Sequence, residues 1–335
     1  MDISQTVYTV FALVSGVILV LGVVLNGVVC VFFLAYRSLL STEENILIFS
    51  MALSDFFGCA AAVPTSLISN LNREWVFGNA GCQIHALIVT LGGLVSITHF
   101  TALSVNRYKK LTERVHKNFN RKRAVYCVSA MWAYSFSFAI APVVGWSRYT
   151  TEGIGTSCSV DWKASDANAV SYTMSLFFGC FFIPIALIFF SFSKIYKSLR
   201  SMTTRANNIW GKLSVFARQT AKAESKMTAL IFVMVIAFLI AWVPYAMVSL
   251  ICAFGGSRWI SPLLASAPAY LAKSSLLYNP VLYFFMYRRF RIKVLKLLQS
   301  WILGTQKIRT LRKQGLATFL GKKTSNTSLR QSSFK

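Results

Sequence analysis

A single lysine stands in a long apolar stretch near the carboxyl end of the chain. Lys273 is the only charged residue between Trp259 and Tyr287, in a segment long enough to cross a hydrocarbon core as a helix. An ammonium at such a depth costs about 3 kcal/mol or more, so burial favours the neutral amine, which is the nucleophile that condenses with an aldehyde. Lys273 is therefore a candidate site of covalent attachment. Pairing with an acid inside the membrane, for which Asp55 is the candidate, is the alternative.

A polar element follows in the same stretch. Asn279 and Pro280 open it, and Tyr283 closes it. A proline inside a membrane helix frees a carbonyl that polar neighbours or water must satisfy. Asn26 and Asp55, in the first and second apolar stretches, are available for this, so the sequence predicts a network that joins them to Asn279. Each residue alone could serve only to pack helices together.

Two further elements could move. Arg107 ends the third apolar stretch and Glu224 opens the sixth, so a guanidinium and a carboxylate could pair at the inner helix ends. That pair would break if the sixth helix swung outward, although an unpaired, solvated Glu224 is the alternative. Further along the sixth stretch, Pro244 permits a kink close to Trp242, which is expected to face the bundle.

The elements that must position these residues are membrane spans. Of 335 residues, 55% are hydrophobic and 13% are charged, and the mean hydropathy is +0.56, which excludes an ordinary soluble domain. Apolar stretches long enough to cross a bilayer lie at 7–36, 44–71, 82–107, 124–146, 169–195, 226–254 and 259–287. The predicted fold is an all-α bundle of seven transmembrane helices.

The basic residues orient this bundle. Of the 35 lysines and arginines, 30 lie in the loops after spans one, three and five and after span seven, and the alternate loops hold Arg73, Arg148, Lys163 and Arg258. Because inner loops collect basic residues, we expect an extracellular amino terminus and a cytoplasmic carboxyl terminus. The net charge of +25 is then a property of membrane topology and predicts no binding of nucleic acid.

Cysteine usage predicts one disulfide. Cys82 opens the third span, and Cys158 is the only other cysteine clearly in a predicted outer segment. The outer compartment is oxidising, so we expect these two to form a bridge; two free thiols are the alternative. The absence of Cys-x-x-Cys and of a Cys/His cluster predicts no metal site.

The chain is predicted to comprise two parts. Residues 1–302 form the seven-helix domain and include a short amphipathic helix on the membrane surface, with an apolar stripe made by Phe290, Val294, Leu297 and Leu298. Residues 303–335 form a basic, Ser/Thr-rich cytoplasmic tail that we expect to be disordered. A receptor kinase could phosphorylate the tail between Thr318 and Ser333.

These residues together resemble the rhodopsin-like G-protein-coupled receptors, and within them the opsins. The match to the receptors is carried by Asn26, Asp55, Cys82, Asn106, Arg107, Tyr108, Trp132, Pro184, Trp242, Pro244, Asn279, Pro280 and Tyr283. The match to the opsins is carried by Ala272-Lys273-Ser274-Ser275 and by the outer loop from Gly145 to Trp162. The segments 171–174, 241–250 and 272–275 look most like the neuropsin, peropsin and retinal-isomerase branch, which favours a neuropsin-like, non-visual opsin.

The resemblance implies a light-sensing receptor. Retinal, as the 11-cis or all-trans isomer, would be bound covalently to Lys273 as a Schiff base, with Trp242 and Tyr245 in the pocket wall. Photoisomerisation would push on Trp242, separate Arg107 from Glu224 and open an inner cleft for a heterotrimeric G protein. Arrestin and a receptor kinase are further partners that the resemblance implies.

Two departures from the family pattern affect these expectations. Opsin relatives usually have Asp or Glu before the inner arginine, where this chain has Asn106. Vertebrate visual pigments resemble one another in a glutamate counterion at the position of His85, and an imidazole cannot neutralise a cation. Glu152 is then the candidate counterion, with absorption in the visible; a neutral imine, absorbing in the ultraviolet, is the alternative. His85 could tune that balance or could simply be packed or solvated.

Two other functions remain open on the sequence alone. A photoisomerase would bind all-trans-retinal in the dark and supply the 11-cis form, and His85 and Asn106 mildly favour it. The intact element from Asn279 to Tyr283, together with Glu224 and the basic inner loops, favours signalling. A seven-helix receptor for a diffusible ligand is the other alternative.

Overall fold

A computed structural model describes residues 3–112, 120–209, 215–286, 291–296 and 299. The side chains of these residues are described except between 199 and 224. In this part of the chain, helices dominate and the strands form one small sheet. The helices are α1 (Gln5–Ala35), α2 (Glu43–Phe57), α3 (Val63–Asn72), α4 (Gly78–Thr112), α5 (Arg121–Ile140), α6 (Ala167–Phe177), α7 (Ile183–Ile209), α8 (Val215–Ala253), α9 (Pro262–Ser274) and α10 (Tyr278–Met286). The strands are β1 (Tyr149–Glu152) and β2 (Ser157–Val160).

The described helices form seven spans in chain order, which confirms the predicted fold class. The second span consists of α2 and α3, the fifth of α6 and α7, and the seventh of α9 and α10; the other spans are single helices. Among the described residues, the first, second, third, fifth and sixth spans are long and apolar enough to cross a membrane. The fourth span, α5, opens with three consecutive basic residues, and a 3₁₀ turn at Ser275–Leu277 divides the seventh.

The fourth span is shorter than its apolar stretch predicts. Helix α5 ends at Ile140, although the apolar residues continue to Trp146. Pro142 follows the helix end, and proline has no backbone N–H to donate to the carbonyl four residues earlier. Gly145 then has a φ of +100°, which glycine adopts without a steric penalty. The chain therefore turns before it reaches the outer hairpin.

Wide π turns interrupt the second and fifth spans. The segments Gly58–Ala62 and Phe178–Phe182 each carry one such turn, and the chain enters and leaves both in helical geometry. A π turn inserts extra chain into a helix without ending it, and such turns are frequent at functional sites. Both turns lie at the level of the same internal cavity, which they help to line.

A β-hairpin covers the cavity and is fixed to α4. Strands β1 and β2 pair antiparallel, with Thr151 opposite Cys158 and Glu152 opposite Ser157. The predicted disulfide is confirmed, since Cys158 is bonded to Cys82 at the start of α4. The buried residues packed around this bridge include Ala86, Tyr149, Val160, Tyr172 and Leu176.

Residues 291–296 are helical, in the segment predicted as an amphipathic helix. Val294 lies in this described segment. The other residues assigned to its apolar stripe, Phe290, Leu297 and Leu298, lie outside the described residues, as does the predicted tail at 303–335.

Candidate functional site

An apolar cavity lies inside the bundle. The second, third, fifth, sixth and seventh spans line it, together with the outer hairpin. The π turns contribute Gly58 and Ala62 from one side and Cys180 and Phe181 from the other. The aromatic side chains in the wall are Trp162, Phe177, Phe181, Phe238, Trp242 and Tyr245. Such a lining is suited to a largely apolar ligand.

Lys273 brings an amine into this cavity. Its side chain extends from α9, and the residue is 8% exposed. The Nζ atom donates to Ser157 Oγ at 2.5 Å and to Ser66 Oγ at 3.3 Å, and it lies 4.9 Å from the centre of the Tyr270 ring. In the described part of the chain, no carboxylate forms an ion pair with Lys273; the alternative partner Asp55 bonds elsewhere.

His85 reaches the same serine as Lys273. Its Nδ1 lies 2.7 Å from Thr65 Oγ1, and that hydroxyl donates to the Ala62 carbonyl at 2.7 Å. Thr65 therefore accepts from His85 Nδ1, which leaves Nε2 of a neutral imidazole as an acceptor. Ser157 Oγ lies 3.2 Å from this Nε2. A consistent chain of donors thus runs from Lys273 through Ser157 to His85.

Glu152 lies opposite Ser157 in the hairpin, but its carboxylate is hydrogen-bonded to Tyr245. The hairpin register places it opposite Ser157, and opposed residues of an antiparallel pair point to the same face. Its Oε2 accepts from the Tyr245 hydroxyl at 3.2 Å. That hydroxyl in turn accepts from Trp162 Nε1 at 3.0 Å. Glu152 is the acidic residue among the described residues that line the cavity.

Trp242 lies in the cavity wall between the sixth and seventh spans. Its indole Nε1 donates to Ser275 Oγ at 3.0 Å, at the first residue of the 3₁₀ turn that follows Lys273. Its ring stacks on Phe238 with centroids 5.5 Å apart. On the other side, a Cβ added to Gly93 of α4 would overlap the Trp242 ring. Glycine at 93 therefore allows α4 to approach the indole closely.

The polar residues below the cavity form two contacts between spans. Asn279 Nδ2 donates to Asp55 Oδ2 at 3.1 Å. Asn26 Nδ2 donates at 2.9 Å to the carbonyl of Leu276, a backbone group in the seventh span. The structure thus brings Asn279 to Asp55, whereas Asn26 bonds to the backbone beside them. Pro280 and Tyr283 are buried in α10.

Arg107 has a partner that the sequence analysis missed. Its Nη2 donates to Glu44 Oε1 at 2.9 Å, and the two side chains are 3% and 9% exposed. Lys110 Nζ lies 3.8 Å from the same oxygen. The predicted partner Glu224 lies outside the residues whose side chains are described. Of its neighbours, Asn106 is half-buried, and the Tyr108 ring packs edge-on against Phe190.

The sequence contained a usable signal for two of the three residues that the sequence analysis missed. Glu44 opens the second span, so it lies at the same predicted inner boundary as Arg107, and this shared depth was a usable signal. Ser157 is adjacent to Cys158, so the predicted bridge to Cys82 was a signal that Ser157 lies near the start of α4. Ser66 is one of many serines in apolar stretches, and nothing in its sequence context distinguishes it.

Comparison with known proteins gives consistent matches. The family model described as 7 transmembrane receptor (rhodopsin family) matches residues 25–283. The chain is 32% identical over 295 residues to pinopsin of Gallus gallus, which covers 88% of this chain and 82% of pinopsin. It is 34% identical over 295 residues to melanopsin-B of Xenopus laevis, covering 86% of this chain but 54% of that relative, so it spans about half of the melanopsin. The crystal structure of squid rhodopsin matches with a TM-score of 0.83 and 30% identity, covering 90% of this chain and 88% of the squid chain.

Proposed function

The chain belongs to the opsins, within the rhodopsin family of seven-transmembrane receptors, and from that premise we propose that it is a light-sensing receptor that binds retinal at Lys273. A single observation carries the proposal: a buried lysine amine opens into an aromatic cavity that is closed by a hairpin. An amine there can form a covalent bond with an aldehyde. The proposed receptor is neuropsin-like and non-visual, with its amino terminus extracellular.

The residues of the cavity fit retinal. Its polyene is apolar and its reactive end is an aldehyde, which matches an apolar wall with one amine at its edge. When bound, retinal supplies a light-driven change of shape. The hairpin that is bridged to α4 keeps water away from Lys273, and Ser157 and Ser66 orient its nitrogen through their hydroxyls.

The charge on the Lys273 nitrogen is the quantity that this site must control. A buried cation needs an opposing charge, since otherwise the neutral form is favoured. The hydroxyl contacts supply dipoles only, so we propose Glu152 as the balancing carboxylate, acting at a distance from its position opposite Ser157. His85 is the group that Ser157 connects to the nitrogen. If Glu152 does not balance the charge, the pigment absorbs in the ultraviolet.

Signalling is proposed to pass from the cavity to the inner face through the sixth and seventh spans. Trp242 is bonded to Ser275, and the seventh span continues from there to Asn279, which is bonded to Asp55. A push on the indole would therefore strain contacts in both spans. We propose that Arg107, which is followed by Tyr108, then separates from Glu224 and that an inner cleft opens for a heterotrimeric G protein. We propose that the light-activated receptor also recruits arrestin. A receptor kinase would first phosphorylate the tail at residues 303–335, which follows the seven-helix domain at 1–302.

An absorption spectrum tests this proposal. Full-length protein is incubated with 11-cis- or all-trans-retinal in the dark, and its spectrum is compared with that of Lys273→Ala and of Lys163→Ala, which removes an exposed outer lysine. We expect a pigment band in the native chain and in Lys163→Ala and none in Lys273→Ala. Borohydride reduction should leave a retinyl group on Lys273. A pigment of unchanged intensity in Lys273→Ala would overturn the assignment and leave a receptor for a diffusible ligand.

A retinal photoisomerase is the second candidate function. The contact between His85 and Ser157 favours it, because an imidazole one serine away from the reactive nitrogen could exchange a proton with it. Extraction of retinal before and after illumination distinguishes the two functions. A receptor should retain its dark isomer and stimulate G-protein nucleotide exchange in light. A dark content of all-trans-retinal that is converted to free 11-cis-retinal would instead support the isomerase.

A further inference from the structure

The carboxylate that pairs with Arg107 comes from Glu44 and not from position 106, where opsin relatives usually have Asp or Glu. Arg107 follows Asn106, so the adjacent position supplies no negative charge. Glu44 supplies one from another helix, with Nη2 and Oε1 2.9 Å apart. Glutamate is seldom buried without a partner, and the side chain of Glu44 is 9% exposed. The pair therefore connects the start of the second span to the end of the third.

We propose that Glu44 is the positioning residue that restrains Arg107 in the unlit receptor, and that release of Arg107 from Glu44 is a step of activation. This inference rests on the proposed light-dependent signalling. The Arg107 side chain is 3% exposed while it is paired, so a cytoplasmic partner cannot contact it until the side chain or the residues that cover it move. The contact joins the second span to the third, so breaking it removes one tie between these two spans.

The local structure makes Glu44 a fixed anchor. It lies in the first turn of α2, where the aligned peptide dipoles favour a negative charge. Thr42 caps this turn by accepting the Asn45 backbone N–H at 3.3 Å. The Asn45 side chain donates to the Leu39 carbonyl at 2.7 Å and ties the turn to the preceding loop. Movement at the pair is therefore expected on the Arg107 side.

Glu43 provides a matched control. It is the preceding residue in the same helical turn and is also acidic, but its side chain is half-buried and belongs to no ion pair among the described residues. Glu43→Gln therefore removes the same charge from nearly the same place without breaking the pair. Asn106→Asp provides a rescue, because it restores a carboxylate next to Arg107.

The test uses full-length protein in lipid nanodiscs with a fluorescent label at the inner end of the sixth span. The label is attached through Lys226→Cys in a Cys127→Ser background, since Lys226 and Cys127 are both exposed. The signal is recorded without retinal, with retinal in the dark, and after illumination. G-protein nucleotide exchange is measured in parallel. We expect Glu44→Gln to move the dark signal toward the illuminated one and to raise dark exchange about five-fold or more.

The control and rescue variants decide whether the effect belongs to the pair. We expect Glu43→Gln to behave as the native chain, and Glu44→Gln with Asn106→Asp to return the dark signal toward the native value. A native-like dark signal in Glu44→Gln, an equal effect of Glu43→Gln, or a failure of the rescue would each overturn the inference. If the native chain shows no light response, the proposed function fails, and the retinal-free signals of the same variants still decide whether Glu44 restrains the sixth span through Arg107.

Discussion

Two buried basic side chains lie at different levels of the bundle and have different partners. Lys273 contacts the hydroxyls of Ser157 and Ser66, whereas Arg107 contacts the carboxylate of Glu44. Lys273 contacts the hairpin that is bridged to Cys82. Arg107 follows Cys82 by 25 residues in α4, which places these two residues about 37 Å apart along the helix at 1.5 Å per residue. The outer basic group thus contacts neutral hydroxyls, and the inner one has an ionic partner.

This difference indicates how each charge can change. A lysine amine can lose its proton, and neutral contacts tolerate both of its states. An arginine guanidinium stays protonated in proteins, so its charge can only be moved to another partner. The outer site is therefore suited to a change of charge, and the inner site to a change of position.

Breaking the covalent anchor of the outer site should have the largest effect. In Cys158→Ser, β2 loses its bond to α4, so Ser157 is no longer held against Lys273. We expect a loss of about 2–5 kcal/mol of stability and a strongly reduced pigment yield. Thermal unfolding in detergent and absorbance after addition of retinal measure both. Cys127→Ser, which removes an exposed free thiol, should change neither; native stability in Cys158→Ser would contradict the prediction.

Breaking the inner pair should have the next largest effect. Glu44→Gln removes the buried carboxylate that Arg107 contacts at 2.9 Å, so it should destabilise the protein by about 3 kcal/mol. Glu44→Gln combined with Arg107→Gln should cost less than the two single changes together, because the pair is removed as a unit. Thermal unfolding of the four proteins in nanodiscs gives this comparison. Strict additivity would mean that the two residues do not interact.

The charge balance at the outer site is tested by Glu152→Gln. Since this change removes a negative charge from the cavity wall without touching Lys273 directly, we expect the pigment to form but its band to move toward the ultraviolet. The cation on the nitrogen loses favourable Coulomb energy. Absorption spectra at a fixed pH measure the change. Asp161→Asn is the control, because Asp161 pairs with Arg148 at 2.8 Å on the outer surface; an unchanged band in Glu152→Gln would remove Glu152 as counterion.

The smallest effect is expected at an exposed charge, which sharpens the contrast with the buried ones. The pKa of the Asp166 carboxyl is lowered, first because it accepts the Ala169 backbone N–H at the start of α6. A carboxyl whose pKa is lowered by folding stabilises the protein at pH values above its unfolded pKa. This contribution is lost as the pH falls through the folded pKa. Asp166→Ala should therefore lower the melting temperature slightly at pH 7, by an amount that shrinks as the pH falls through the carboxyl range.

Asp166→Asn separates the cap from the charge in that experiment. Asparagine can still accept the Ala169 N–H but cannot pair with Arg148, whose Nη2 lies 3.1 Å from Asp166. We expect its melting temperature to lie between those of the native chain and Asp166→Ala. A pH-independent difference for Asp166→Ala would contradict the assignment.

The sequence predicted the parts of this molecule that depend on hydrophobic length and on chemical type. The seven spans and the Cys82–Cys158 bridge follow from apolar length and from the oxidising outer compartment, and both are confirmed. Lys273 is identifiable because a charge inside a span is costly wherever its helix packs. The spans, the bridge and the buried lysine can all be inferred without knowing how the helices pack against one another.

The contacts of Lys273 and Arg107 could not be predicted in the same way. Ser66 reaches Lys273 only because a π turn precedes it in the second span, and such a turn leaves no clear periodic signal. Ser157 reaches the same nitrogen through the register of the hairpin, which the sequence does not reveal. Glu44 was missed because pairing between helices depends on how the second and third spans pack, which apolar length does not reveal.

The π turn at Gly58–Ala62 also constrains how this chain can vary in length. Successive residues of an α-helix are separated by about 100° around the axis, so deletion of one residue within the turn would rotate everything after it relative to everything before it. Asp55 would keep its place beside Asn279, while Thr65, Ser66 and Asn70 would turn away from their partners on the third and seventh spans. The extra residue of the π turn thus lets one span contact different neighbours before and after the turn. A homologue without that residue would have to surround its lysine with other side chains.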